Sequence, residues 1–299
     1  MDIKWLKTFI VAAQTENFRK TSEELFLTQP AITKHIQRLE HFLQVELFYR
    51  DGKKISLTSA GYQFLKGALK IVRAYEEGME EFEAWKQGYD KKLVIAVAPQ
   101  IAASILPSLL RDFIKQYPSI EVIINIVKSY EIGMEINSGR ADLGLSRIKA
   151  IQSNLNCDVI HKEPVLLVAP FREDYAEIGC SEKTMLKLYR LITHNHPDYW
   201  DILLDEVKKH YPTVQTMTVN QVEVTKRFIE EGLGVSYLPF TMVKEELCKQ
   251  KMVEVLPDYV DPPNSYTYLI TKIKTQEVEL FSSFIREAFS QVVEYDEKK

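Results

Sequence analysis

Residues 27–43, LTQPAITKHIQRLEHFL, hold a helix start signal, an apolar stripe and a polar flank. Thr28 is a residue type that caps helix N-termini, and Pro30 falls in the first turn, where its missing N–H leaves nothing unsatisfied. Ile32, Ile36, Leu39 and Phe42 then recur at helical spacing as one inward stripe, with Thr33, Lys34, Gln37 and Arg38 largely on other faces. Upstream, Trp5, Leu6, Phe9, Ile10 and Ala13 mark a helix. Asn17 caps a second one running from Phe18 to about Phe26, with Phe18, Ser22 and Leu25 inward. Downstream, LFYRDGKKISLT (47–58) sets a turn at Asp51-Gly52 between two strand-like pieces, which is a wing.

A helix of roughly 28 residues follows from Ser59 to about Gly88, or about 42 Å at 1.5 Å per residue. Leu65, Leu69, Val72, Met79 and Phe82 make a near-heptad seam, interrupted by Glu76 and weakened by Gly67, Gly78 and Gly88. Such a helix reads as a dimerisation arm. From Lys91 the pattern becomes α/β. KLVIAVAP, IEVIINIVKS and ADLGLSR are strand runs separated by helical stretches. PVLLVAP, YRLITHNHP and TMTVNQVEVTKRFIEEGLGVSYLP form a second set, and SYTYLITKI and a final helix close the chain. Alternation of this kind implies βαβ units with parallel strands.

The 299 residues suffice for two or three domains. Residues 1–60 carry nine Lys/Arg against seven Asp/Glu, and the remaining 239 carry 29 against 35. A slightly basic segment on an acidic body points to a local nucleic-acid site rather than a basic coat. Cys157, Cys180 and Cys248 form no C-x-x-C pair and fit reduced thiols. No signal-peptide core or membrane span is legible, so the expected location is the cytoplasm. No nucleotide-binding glycine fingerprint, nucleophile elbow or H-E-x-x-H motif occurs, and no cofactor is expected.

In ENFRKTSEELFLTQPAITKHIQRLEHFLQVELFYRDGKKISLTSAG (16–61), the spacing of Phe18, Leu25, Gln29-Pro30-Ala31, Leu39-Glu40, Leu47-Phe48, Arg50, Leu57-Thr58 and Gly61 resembles the LysR-type transcriptional regulators. ILPSLLRDFIKQYP, SGRADLGL and EEGLGVSYLP resemble landmarks of that family's effector domain, so the resemblance covers nearly the whole chain. DIKWLKTFIVAA, ENFRKT, THNHPDYW and TKRFIEEGLGVS are similar to one subgroup, the CitR-type repressors of citrate synthase genes. The chain departs from the family pattern at Thr21 and Ser22, where two alanines are usual. It departs again at Ala98 and Gln100, where many members carry hydroxyls that hold a carboxylate effector.

The resemblance implies a multidomain α plus α/β chain. A winged helix-turn-helix would occupy residues 1–58 and a linker and dimerisation helix 59–90. A periplasmic-binding-protein-like effector domain would follow as two α/β subdomains joined by crossover strands: 91–161 with 267–299, and 162–266. It further implies a non-enzymatic regulator, a repressor or an activator, of citrate synthase or other central-carbon genes. Such a regulator binds a double-stranded operator as a homodimer or homotetramer and answers to a small, anionic metabolite such as a carboxylate.

The N-terminal residues of the second helix in a helix-turn-helix approach base edges, which nominates Gln29, Thr33 and Lys34, with Thr28 and Pro30 close by. Thr28, Arg38, Arg50, Lys53 and Lys54 suit phosphate contacts. Open α/β sheets bind ligands beyond the carboxyl ends of their strands. That rule nominates Gln100, Ser104, Ser129, Ser146 and Arg147 as effector contacts, with Arg147 a candidate to neutralise a carboxylate. In THNHPDYW (193–200), the H-x-H spacing raises zinc ligation, but no third or fourth ligand stands nearby in sequence. Asp198 reads as a helix N-cap. On the family resemblance, His194, Asn195 and His196 face the effector and Thr225 adds a hydroxyl. Two other readings stand beside this one: a small-molecule-binding protein whose N-terminal helices meet a protein partner, and a metal-dependent hydrolase built on THNHPDYW.

Overall fold

A computed structural model describes residues 1–51, 54–173, 175 and 180–296, the side chains of Asp51 and 291–296 excepted. Two compact units divide the chain, Met1–Gly88 and Tyr89–Lys299.

The first unit opens with α1 (Ile3–Thr15), whose N-cap Asp2 accepts the Lys4 N–H. In α2 (Phe18–Glu24), the Asn17 side chain accepts from Arg19 and Lys20. Expected to reach Phe26, α2 ends at Glu24 because Phe26 takes a left-handed conformation at φ 54°. Thr21 and Ser22 are both buried, and the Thr21 hydroxyl bonds that of Thr15 at 2.7 Å. A hydroxyl pair therefore fills the space that two alanines would leave apolar. In α3 (Gln29–Leu43), Ile32, Ile36 and Leu39 are fully buried, and the apolar core gathers Leu6, Phe9, Ile36, Leu39, Leu47 and Phe48. Phe42 was expected on that stripe but is 55% exposed. Thr28 stands at the N-cap without a side-chain cap bond.

The wing pairs β1 (Phe48–Asp51) with β2 (Lys54–Leu57) antiparallel, from Phe48 opposite Leu57 to Asp51 opposite Lys54. Gly52 of the expected turn lies outside the described residues. Next, α4 (Ser59–Lys86) starts on Thr58, whose hydroxyl donates to Glu46 O at 2.7 Å and accepts the Gly61 N–H at 3.0 Å. Position 61 must be glycine, since a Cβ there would sit 2.3 Å from the Leu47 carbonyl oxygen. Along α4, Leu69, Met79 and Phe82 of the seam are each more than two-fifths exposed in the single chain.

The second unit is built on one mixed sheet. Its first half holds β3 (Lys91–Val97), α5 (Pro99–Ala103), α6 (Leu106–Gln116), β4 (Ile120–Ile126), α7 (Ser129–Asn137) and β5 (Leu143–Ser146). Then come β6 (Asn156–Pro170), α8 (Glu182–Leu188), β7 (Arg190–Thr193), α9 (Trp200–His210), β8 (Thr216–Thr218), α10 (Val222–Glu230) and β9 (Gly234–Pro239). The chain closes with α11 (Phe240–Cys248), β10 (Met252–Val255), β11 (Asn264–Thr271) and α12 (Gln276–Asp296).

The strand order is β4-β3-β5-β11-β6-β9-β7-β8, with β10 on β6. β3 is parallel to β4 and β5, and β7 is parallel to β8 and β9. The 15-residue β6 joins the halves, pairing antiparallel with β11 over 156–164 and with β9 and β10 over 165–170. Each half has its own core. In the first, Phe113 of α6 packs edge-on against Phe281 and Phe284 of α12, with centroids 5.0 and 5.4 Å away. In the second, Met185, Leu191, Trp200, Leu203 and Tyr237 are buried together.

Candidate functional site

Within the first unit, Thr28, Gln29, Pro30 and Lys34 are exposed along the first turns of α3, and Thr33 is half-buried. The Thr33 hydroxyl donates to Gln29 O at 3.1 Å, which leaves the Gln29 carboxamide unengaged by that bond. Arg38 is exposed and its guanidinium lies 5.8 Å from the Trp5 ring centroid. Arg50 is tied to Glu40 at 2.9 Å, while the other Glu40 oxygen accepts the N–H groups of Leu47 and Phe48. Arg50 therefore braces the entry to the wing, with 43% of its side chain still in solvent. Lys54 is exposed at the start of β2, and Lys53 lies outside the described residues.

In the second unit, β3 sends its chain to β4 on one side and later to β5 on the other; β7 does the same with β8 and β9. Each is a topological switch point, where loops part beyond the strand ends and leave a crevice. Both crevices open onto one cavity of about 330 Å³. Pro99 and Gln100 reach it after β3, Lys128, Ser129 and Tyr130 after β4, His194–Pro197 after β7, and Asn220–Glu223 after β8. The cavity thus meets the first turns of α7 and α10, whose leading N–H groups have no intrahelical acceptor. A hydrogen bond to the Tyr130 side chain, with the nearby Glu131 carboxylate, holds the Lys128 ammonium above its usual pKa.

Of the nine residues expected to line an effector site, Gln100, Ser129, His194, Asn195 and His196 do line the cavity; Ser104, Ser146, Arg147 and Thr225 do not. Ser104 donates to Gln100 O at 2.6 Å. The buried Ser146 hydroxyl accepts the Ile148 N–H at 3.1 Å. Thr225 is fully buried, donating to Gln221 O and accepting from the Asn195 amide. Arg147 was the candidate counter-charge for a carboxylate, but it is fully buried and ion-paired with Glu163 at 2.7 Å. Burial and an internal anion remove it from that task.

The THNHPDYW loop is also organised inward. The Asn195 side chain bonds Ser236 at 2.8 Å and accepts the Trp200 indole N–H at 2.9 Å, so it meets the cavity through its main chain. Its carbonyl takes the Gln100 amide at 3.4 Å. The His196 Nδ1 accepts the Asp198 N–H at 3.3 Å, which leaves Nε2 to donate to the Ser265 hydroxyl at 3.2 Å. Burial, then the nearby Arg147 charge, pushes the pKa of His196 well below its usual value. It is therefore a neutral, fully bonded imidazole stacked on Tyr199 at 4.4 Å. His194 is exposed in a left-handed conformation at φ 64°, its Nδ1 paired with the Thr193 hydroxyl at 2.8 Å. Asp198 does not cap α9. Tyr199 holds that position without a side-chain cap bond, because the His196 ring closes the preceding turn on the Asp198 N–H. Among the described residues, no three His, Cys, Asp or Glu side chains are grouped to hold a metal ion.

Lys128, Tyr130, Gln221 and Glu223 were missed as cavity residues. The strand-end rule that pointed to Ser129 also covers Lys128 and Tyr130, which flank it in sequence.

Residues 3–62 match the family model described as a bacterial regulatory helix-turn-helix protein, lysR family, and residues 86–290 match that of the LysR substrate binding domain. The chain is 43% identical to the HTH-type transcriptional regulator CitR of Bacillus subtilis, over 95% of this chain and 98% of that protein. It is 35% identical to the uncharacterised HTH-type transcriptional regulator YxjO of the same organism, over 96% of this chain and 98% of that one. Among solved structures, full-length CbnR complexed with its target DNA shares the fold at a TM-score of 0.64, with 21% identity over 96% of this chain and 99% of that chain.

Proposed function

The chain belongs to the LysR family of bacterial transcriptional regulators, and on that premise we propose how its residues divide the work. It is a DNA-binding regulator with an effector-binding domain, not an enzyme. Gln29, Thr33 and Lys34 read base edges, with Thr28 and Pro30 beside them, and Arg38, Arg50, Lys53 and Lys54 meet phosphates. The winged helix-turn-helix ends near residue 58, and α4, with the linker that follows it to about residue 90, brings copies together as a dimer or a tetramer. The exposed Leu69, Met79 and Phe82 of α4 support that role. The effector domain divides at about 161/162 and 266/267. We place the protein in the cytoplasm; among the described residues no helix is long and apolar enough to cross a membrane.

The observation that carries the effector reading is the shared opening of two switch points onto one cavity lined by Lys128 and by the first turns of α7 and α10. Lys128 and the oriented N–H groups favour an anion at their end of the cavity, whose lining also carries the Glu223 carboxylate. A small carboxylate is therefore the ligand, seated by Lys128, Ser129, His194 and the main chain of Asn195. Its binding shifts the population of operator-competent molecules. The likeness to CitR supports citrate synthase or another central-carbon gene as the target.

Fluorescence anisotropy on duplexes from the gene's own upstream region tests the DNA reading. Gln29→Ala should lower discrimination among operator variants by about 1–3 kcal/mol at one base pair. Lys54→Ala should weaken every duplex alike and reduce the salt slope by about 1. Equal losses on all duplexes for both variants would overturn the assignment of Gln29. No salt-sensitive binding to any of these duplexes would instead favour a protein partner for the N-terminal helices.

A further inference from the structure

We propose that Phe26 reads the operator by setting its ring against the 5-methyl group of a thymine at the rim of the major groove. The inference rests on the DNA-binding reading of α3 and adds a residue to it. Phe26 is 95% exposed, the most exposed large hydrophobic side chain among the described residues. It also has φ 54°. The other non-glycine residues with positive φ among those described are Glu16, Gln44, His194 and Gln250, so Phe26 alone is apolar. The fold gains nothing from a phenylalanine here. A left-handed backbone disfavours a bulky side chain by about 1–2 kcal/mol, and a ring left in water adds no burial. Phe9, Phe18, Phe48 and Phe64 of the same unit behave differently, each packing on another ring at 5.5–5.8 Å.

Position 26 is held where α2 turns into α3, by Phe26 N–H to Glu23 O at 3.4 Å and Leu27 N–H to Ser22 O at 2.9 Å. It stands three residues before Gln29, and residues at the start of a recognition helix are the ones brought to base edges. A phenyl ring offers no donor to a phosphate. The thymine methyl is the apolar mark among the base edges of the major groove, and apolar side chains recognise it by contact.

Uracil pairs as thymine does but lacks the methyl group, which isolates the contact. Each thymine of the mapped operator is replaced in turn by uracil, and affinity is measured for the full chain and for Phe26→Asn. In the unsubstituted protein, one uracil position per half-site should weaken binding about fourfold, the effect of one buried methyl group. Phe26→Asn should bind the thymine and uracil duplexes alike at that position. Asparagine tolerates the left-handed region, so this variant should melt no lower than the unsubstituted chain. If every uracil effect persists in Phe26→Asn, or if that variant loses stability because the ring packs within the fold, the proposal is wrong. Failure of the unsubstituted chain to bind any operator duplex would overturn the DNA-reading assignment as well, which separates the two failures.

Discussion

Arg147→Met should destabilise the 89–299 unit by about 3–5 kcal/mol, because it leaves the Glu163 carboxylate buried without its cation. Both side chains are essentially inaccessible, at 0% and 2%. Arg147 also donates to Thr267 at 3.1 Å, and Glu163 accepts the Thr241 N–H at 2.6 Å and hydroxyl at 3.0 Å. The cluster therefore ties the end of β5 to β6, β11 and the start of α11. It is incompletely satisfied, since the Arg147 Nε is buried without a hydrogen-bond partner. That orphan predicts the second half of the result: adding Glu163→Leu to Arg147→Met should recover most of the loss, as apolar groups replace an imperfect ion pair. Denaturant unfolding followed by Trp200 fluorescence, with Trp5 and Trp85 changed to phenylalanine, reads this unit alone. A double variant no more stable than the single one would mean that the loss does not come from an unpaired buried carboxylate.

Glu182→Gln should cost about 2–3 kcal/mol at neutral pH, and the cost should shrink in acid. Glu182 opens α8 fully buried. Its carboxylate accepts from the Tyr237 hydroxyl at 2.7 Å, the Tyr211 hydroxyl at 3.0 Å and the N–H groups of Asp258 and Tyr259 at 2.9 Å each. Burial alone would raise its pKa, but Tyr237, these N–H groups and Tyr211 together lower it below the ordinary value. The unfolded chain then binds the proton more readily than the folded one, so stability rises with pH through this window. The contribution is complete above the unfolded carboxylate value of about 4.3 and is lost as pH falls through the lower folded value. Urea unfolding of both proteins at several pH values between neutral and acidic should show the gap closing. A gap that does not change with pH would mean that the carboxylate charge contributes nothing.

The parts of this molecule legible in the sequence are those set by neighbours a few residues away. The stripe Ile32, Ile36, Leu39 fixed the buried face of α3, and the buried-strand runs from Lys91 onward located β3, β4 and β5. Gln100 and Ser129 reach the cavity as expected because ligand crevices form at strand ends, a rule that needs only the order of elements. The His194–His196 loop, by contrast, was nominated by the family resemblance. What was not legible depends on partners far along the chain. Arg147 meets Glu163 and Thr267, and Asn195 meets Thr225 and Ser236. Nothing local distinguishes a buried arginine from one that faces a cavity. Asp198 failed as a cap for a related reason, since the His196 ring closes its turn. Phe26 ended α2 early through a backbone conformation that phenylalanine gives no reason to expect.

If a carboxylate in the cavity beside Lys128 governs operator binding, the two ligands must be thermodynamically coupled. Calorimetric titration of the full chain with small carboxylates, citrate among them, with and without operator duplex, tests that coupling directly. One carboxylate should bind with an affinity changed by the duplex, and should change duplex affinity by the same factor. Lys128→Ala should lose most of that carboxylate binding while holding the duplex unliganded as before. Carboxylate binding that ignores the duplex, or that survives unchanged in Lys128→Ala, would contradict control of the operator from this cavity.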